Sequence, residues 1–262
     1  MATLLCFHAH PDDESISTGG AMARAAADGH RVVLVVATNG EYGETPADLG
    51  DGESLAMRRA AETAKSAVEL GIARVEFLGY ADSGMTGWDQ NAHPEAFMNA
   101  PLDEASERLA TILREEDVRT LTIYDWHGGY GHPDHIQVNR VGLRAAELAS
   151  TPYVYEATMN RDAVMQFMEA ARSAGQEIEF DANDTDDGTP FGTPEAELTT
   201  AVDVTPWVAR KRASMTCHAS QITDSSFFLQ MPPDAFAQAF GTEWFRRVGA
   251  PGGITESWLA GL

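Results

Sequence analysis

An α/β fold, with a Rossmann-like, mostly parallel sheet and helices on both faces, is what this sequence predicts, on three observations. Apolar runs of strand length alternate with helix-length segments from residue 3 to residue 149. The connections between successive runs are long enough for right-handed crossovers, the usual way to link parallel strands. The clearest runs, Leu4 to Phe7 and Val32 to Ala37, are continuously apolar rather than alternating, as strands covered on both faces are.

Taken in order, Thr3 to His8 is a buried strand, and Ile16 to Asp28 has helical composition stopped by Gly29. Arg31 to Ala37 is the second strand, broken by Asn39-Gly40, and a loop rich in Gly, Pro and Asp follows to residue 52. Glu53 to Leu70 is a long amphipathic helix with Gly71 as its stop. Val75 to Leu78 is a third strand. Tyr80 to Pro101 has no period and is a long loop, a length that in compact domains usually serves function. Leu102 to Glu115 is a helix, Thr120 to Tyr124 a strand and Ile136 to Ala149 a helix.

The remainder is less regular. Val154-Tyr155 reads as a short strand and Asp162 to Ser173 as a helix. Residues 177–197, which include Asp181, Asp184, Asp186 and Asp187, read as a solvated loop or flap. Leu198 to Val204 is a strand, Pro206 to Met215 a helix, and a helix near Ala235 to Phe240 precedes a Gly/Pro-rich tail. The expectation is one domain over 1–262, with a Rossmann-like catalytic core at 1–150. Residues 151–262 form an irregular C-terminal extension that borders the substrate.

Composition narrows the function. The chain carries 18 basic and 40 acidic residues, a net charge of −22, and such a field repels phosphate backbones, so no nucleic-acid partner is expected. No apolar run approaches the roughly 20 residues of a membrane span. Nothing near the N-terminus has the layout of a signal peptide, so a cytoplasmic location is expected. The only lysines are Lys65 and Lys211, and the two cysteines, Cys6 and Cys217, lack metal-ligand spacing and read as small core residues. The first strand-to-helix turn has no G-x-G-x-x-G, which argues against dinucleotide binding.

The chemistry concentrates in two segments. His8-Ala9-His10-Pro11-Asp12-Asp13-Glu14 follows the first strand, and Gly131-His132-Pro133-Asp134-His135 follows the fourth. Taken alone, each His-Pro-Asp triplet reads as a turn whose carboxylate caps the next helix. Five of the eight histidines (His8, His10, His127, His132, His135) fall in these two junctions, however. Two such clusters at strand ends suggest one metal site assembled from both. A catalytic zinc takes three N, O or S ligands and keeps a place for water. His10 with Asp12 or Asp13 offers two ligands, and His132 or His135 the third. Asp12 and Asp13 are adjacent and cannot point the same way, so one is a ligand and the other a general base. The histidine left over would act as a general acid or stabilise an oxyanion. His8 reads as a satisfied core histidine and His127 as a loop-shaping residue.

The pattern Ala9-His10-Pro11-Asp12-Asp13-Glu14 with Gly131-His132-Pro133-Asp134-His135 resembles the LmbE-like, or PIG-L, family of zinc-dependent N-deacetylases. Asp82-Ser83-Gly84-Met85 and Gly128-Gly129-Tyr130-Gly131 are most similar to its mycothiol-pathway deacetylase and amidase branch. The resemblance implies that His10, Asp13 and His135 bind Zn2+ (Fe2+ or another divalent ion also suits the donors) and that Asp12 is the base. It implies that His132 stabilises the oxyanion or protonates the leaving amine, and that Tyr130 polarises the carbonyl. Arg59, Asp82 and His218 would hold the substrate. Without the family, Arg59 reads equally well as a surface charge and His218 as a helix-end histidine. The expected activity is removal of an N-acyl group from an amino-sugar-like small molecule, and a homo-oligomer is compatible with it. A phosphoester hydrolase and a non-catalytic metal- or sugar-binding protein are the rival readings.

Overall fold

A computed structural model of the chain describes residues 1–173, 185 and 188–262. Its strands are β1 (Thr3–His8), β2 (Arg31–Thr38), β3 (Arg74–Tyr80), β4 (Val118–Tyr124), β5 (Tyr153–Thr158), β6 (Thr200–Asp203) and β7 (Thr242–Arg247). They form one seven-stranded sheet in the order β3-β2-β1-β4-β5-β7-β6. The first five are parallel, whereas β7 runs antiparallel to both β5 and β6. The helices are α1 (Asp13–Ser17), α2 (Gly19–Ala27), α3 (Leu55–Leu70), α4 (Leu102–Glu115), α5 (Pro133–Ala149), α6 (Arg161–Ser173), α7 (Val208–Cys217), α8 (Phe227–Gln230) and α9 (Pro233–Phe240). Among the described residues no helix is long and apolar enough to cross a membrane.

The mostly parallel sheet with helices is the expected class, and the alternation of side chains along the strands explains its two layers. Leu5 and Phe7 of β1 join Val33 and Val35 of β2 in a core that also takes Leu109 and Leu113 of α4 and Val138 and Val141 of α5. Leu4 and Cys6 point the other way, into a core with Val32, Met22 of α2 and Leu70 of α3. Cys6 is one of these fillers, and burial pushes its thiol up to about 12. His8 ends β1, with Nδ1 2.9 Å from the Tyr124 hydroxyl and Nε2 2.8 Å from Thr18 Oγ1, the satisfied core histidine expected.

Element boundaries differ from the sequence reading where a side chain supplies a cap. The single helix expected over 16–28 is two, interrupted at Thr18. The first amides of α2, Gly20 N and Ala21 N, donate to the carboxylate of Glu243 in β7, each at 2.8 Å. That carboxylate also accepts Lys211 Nζ at 2.5 Å, so one of the two lysines is fully engaged in a buried ion pair. A Cβ on Gly20 would lie 2.5 Å from Val204 Cβ, so glycine is required for this approach. Helix α5 begins at Pro133 rather than at residue 136, because His132 Nδ1 accepts the Asp134 N–H at 3.1 Å as an N-cap. Ser54 caps α3 from Met57 N, and Gly71 ends it at φ 77°.

The C-terminal part is more regular than expected. Thr242 to Arg247 is a strand where a Gly/Pro-rich tail was expected, and it bridges β5 and β6. Polar alternation (Thr242, Trp244 and Arg246 against buried Glu243 and Phe245) had hidden it. The end of the acidic segment is not a solvated flap: Phe191 and Thr193 are buried, and Arg161 donates to the carbonyls of Pro190, Phe191 and Gly192. Residues 177–184, 186 and 187 of that expectation lie outside the described residues. The loop 80–101 holds two short 3-10 turns, Asp89–Ala92 and Phe97–Asn99, anchored by buried Phe97.

Two stability outcomes follow. Glu243→Gln leaves Lys211 charged and buried without a carboxylate, and urea unfolding should show a loss of about 3 kcal/mol or more. Burial holds the His8 imidazole down at about 4, with the Asp13 and Glu14 charges opposing. Between pH 6.5 and 4 the unfolded chain therefore binds this proton and the folded chain does not. Stability should fall on acidification through that window, by up to about 1.4 kcal/mol per pH unit from this group. Comparing the urea midpoints of wild type and His8→Gln against pH checks the slope.

Candidate metal centre and active site

Strands β1 and β4 are neighbours, and the chain leaves β1 toward β2 on one side and β4 toward β5 on the other. This is the switch point of the sheet, where a crevice opens beyond the carboxyl ends of the strands. Both histidine segments emerge there, the first running from β1 into α1 and the second from β4 into α5.

Asp13 Oδ2 lies 3.3 Å from His10 Nδ1 and 3.4 Å from His135 Nε2. A tetrahedral ion with bonds of about 2.0–2.1 Å sets its ligand atoms about 3.3–3.4 Å apart, so Asp13 Oδ2 stands at ligand-shell spacing from each of the two imidazole nitrogens. His10, His132 and His135 also present ring nitrogens within 4.8 Å of one another, as do ligand atoms of His10, Asp82 and Asp134.

Outer contacts bear on these sets. His10 Nε2 faces Asp134 Oδ2 at 3.2 Å and Asp82 Oδ1 at 3.5 Å, so a proton belongs there, and Nδ1 is the nitrogen left facing Asp13. His135 Nδ1 lies 3.1 Å from the Gly128 carbonyl and serves as donor, which leaves Nε2 as the free lone pair. That Nε2 is buried and has no hydrogen-bond partner, as a ligand atom turned toward a cation would be. Asp134 is already committed: it accepts Ser83 N at 2.9 Å and a short bond from Ser83 Oγ. A carboxylate behind a ligating imidazole orients the ring and raises its basicity. His10, Asp13 and His135 are thus one set of residues that could hold a divalent ion, beside the two groupings above.

Burial opposes ionisation of Asp13, but His135 and His10 outweigh it and hold the carboxyl well below its usual range. Burial opposes a charged His10, yet Asp13, Asp134 and Asp82 together hold its pKa well above the usual imidazole value. Asp12 behaves differently from its neighbour. Burial pushes it up to about 6, with Arg59 opposing and Asp13 adding to the rise. A carboxyl poised there is a competent proton acceptor near neutrality.

The structure brings most of the expected site residues together. Asp12 turns away from Asp13 through a left-handed backbone at φ 88°, and its Oδ2 lies 3.2 Å from Arg59 Nη2. Arg59 is buried, not a surface charge; its terminal nitrogens donate to the Gly40 carbonyl at 2.7 Å and the Pro11 carbonyl at 2.5 Å. His132 uses Nδ1 as the α5 cap, so Nε2 carries the proton toward the crevice. Burial, then the nearby His10 and His135, depress its pKa to about 2, which makes it a neutral donor rather than an imidazolium. Tyr130 is partly exposed, its ring 5.1 Å from His135 and 6.2 Å from His132. Asp82 is buried with Oδ1 accepting Gly84 N and Oδ2 accepting Tyr42 N. His218 is not brought to the open crevice: it is fully buried, its Nε2 2.6 Å from Glu14 Oε1.

Sequence reasoning gave no role to Asp134, Ser83 or Glu14. Asp134 stood inside the second motif, but its partner His10 is 124 residues away and only the sheet order joins them. His127 shapes the loop as expected, 3.0 Å from Asp125 Oδ1, while Asp125 also accepts Gly129 N.

Comparison with known proteins places the chain among relatives. Residues 5–146 match the family model described as PIG-L, GlcNAc-PI de-N-acetylase. A protein of Acidothermus cellulolyticus named 1D-myo-inositol 2-acetamido-2-deoxy-alpha-D-glucopyranoside deacetylase is 40% identical over 257 residues, 94% of this chain and 88% of that one. A protein of the same name from Geodermatophilus obscurus is 38% identical over 97% of this chain and 95% of its own. Among solved structures, the N,N'-diacetylchitobiose deacetylase of Pyrococcus horikoshii superposes with a TM-score of 0.61 over 94% of this chain and 83% of its own. At 23% identity that likeness speaks for the fold.

Removing the carboxylate behind His10 tests the ligand assignment. Asp134→Ala should weaken zinc binding about 10–100-fold in a chelator competition, while Glu115→Ala on the far surface should leave it unchanged.

Proposed function

Because the chain belongs to the PIG-L family of GlcNAc-PI de-N-acetylases, we propose that it hydrolyses the acetamido group of a 2-acetamido-2-deoxyglucoside of small size, in a zinc-dependent reaction. The observation that carries this reading is the placement of Asp13 Oδ2 within 3.4 Å of both His10 Nδ1 and His135 Nε2, beside a second carboxylate that Arg59 holds apart from them. His10, Asp13 and His135 would hold the ion. When bound there, zinc supplies a Lewis acid that polarises the amide and makes hydroxide available near neutral pH.

The chain's own groups do the rest. Asp12 takes the proton from water, and Arg59 keeps its carboxylate turned toward the crevice and away from Asp13. His132 Nε2–H donates to the oxygen on which negative charge develops, and Asp12 hands the proton it took from water to the departing amine. A neutral donor suits the first task because it needs no charge to be desolvated beforehand. Tyr130, at the exposed edge of the same cluster, adds its hydroxyl to the carbonyl oxygen. Asp82, in the loop after β3, borders the crevice and would hold sugar hydroxyls, while Arg59 of α3 orders the turn that carries Asp12. His218 supports the floor of the site rather than the ligand. Among the described residues no clamp of free cations is seen at the centre: Arg59 beside it is spent on Gly40, Pro11 and Asp12, which argues against a phosphoester substrate.

Amine release from 1D-myo-inositol 2-acetamido-2-deoxy-alpha-D-glucopyranoside, with a phosphomonoester as the control substrate, tests the reading. Wild-type protein should release the amine only when loaded with zinc, and should leave the phosphoester intact. Asp12→Ala should lower kcat about 10²–10⁴-fold with close to wild-type zinc content. His135→Ala should lose the metal itself. A variant at Asp12 that loses zinc along with its activity would show that Asp12, and not Asp13 alone, is a ligand.

A further inference from the structure

Behind the base lies a buried polar array that the chemistry above does not use. Glu14 is fully buried in α1. Its Oε1 accepts Ser66 Oγ of α3 at 2.6 Å and Ser15 Oγ at 3.0 Å, and lies 2.6 Å from His218 Nε2. Its Oε2 accepts the backbone N–H of Asp12 at 3.0 Å. Asp12 is a non-glycine residue at φ 88°, ψ −31°, a strained conformation that persists only where surrounding contacts enforce it. Its N–H has no helical partner, because it precedes the first turn of α1.

The segment that carries His218 is itself anchored. Ser220 N and Ser220 Oγ donate to the Glu62 carboxylate of α3 at 2.9 and 2.7 Å. A run of contacts therefore leads from the C-terminal segment through Glu14 to the backbone of Asp12. On the other side, Arg59 holds the Pro11 carbonyl and the Asp12 carboxylate. The peptide between Pro11 and Asp12 is gripped from both ends.

We propose that Glu14, fixed by His218, is a positioning residue that imposes the left-handed turn at Asp12 and so aims the base. This rests on the role given to Asp12 above. Without the Glu14 acceptor, the Asp12 N–H is buried and unpaired, the strained turn relaxes, and the carboxylate leaves its place beside Arg59. Glutamine keeps a carbonyl oxygen for the N–H, whereas alanine keeps nothing.

The test is a mutant cycle read in kcat, KM and zinc content with the acetamido-glucoside as substrate. Glu14→Ala should lower kcat about 10²-fold with KM and zinc content nearly unchanged. Glu14→Gln should recover most of that loss. In an Asp12→Ala background, adding Glu14→Ala should cost nothing further, because Glu14 acts only through Asp12. An equal loss in both backgrounds, or an unchanged kcat in the single variant, overturns the proposal. If Glu14→Ala does not fold, His218→Gln takes its place in the cycle with the same expected pattern and the same refuting one. Should wild-type protein fail to release any amine, the functional reading falls. A crystal structure of Glu14→Ala, or of His218→Gln where Glu14→Ala does not fold, then still decides the positioning claim: Asp12 retained at positive φ refutes it.

Discussion

The pairing of β1 with β4 is the constraint on which the site depends. Their register, Leu4 with Thr120 through Cys6 with Thr122, lays two strands that are over a hundred residues apart in sequence side by side. Their carboxyl ends then open at one place, and each is followed by a tight turn into a helix. The imidazoles of His10 and His135 meet only because of this. A glycine closes the approach, since Gly128 (φ 70°) packs its backbone against His135, where any Cβ would collide.

Adjacent carboxylates with opposite tendencies are the second theme. Asp12 and Asp13 differ by one position, yet the first is pushed up to about 6 and the second is held well below the usual range. Burial disfavours the charged form of both. What separates them is their partners: two imidazoles face Asp13, while Asp12 has a single guanidinium shared with two carbonyls. A turn that sends neighbouring side chains in different directions is thus a means of making one residue type do two jobs.

Much of this could be read from residues alone. Continuous apolar runs such as Val32 to Ala37 mark strands covered on both faces, and the repeated His-Pro-Asp points to the metal centre. What escaped the sequence shares a cause. The β7 strand, the break between α1 and α2, the start of α5 at Pro133 and the burial of His218 are each decided by a partner that pattern alone does not reveal. Glu243 caps α2 across 223 positions, and Glu14 draws in His218 across 204. Periodicity registers the face an element buries, not the distant acceptor that ends it. Arg59 was ambiguous for the same reason, since a helical arginine looks alike whether it meets water or a carbonyl.

The cap that Glu243 places on α2 bears on how the protein must be made. The acceptor for the second element after β1 sits in the last strand, so an emerging polypeptide cannot finish its first layer while β7 is still inside the ribosome. Lys211 would meanwhile wait without its counter-charge. The segment that matches the family model stops at residue 146 and so leaves out both Lys211 and Glu243. Excising it would remove both the plug of one helix and the prop beneath another.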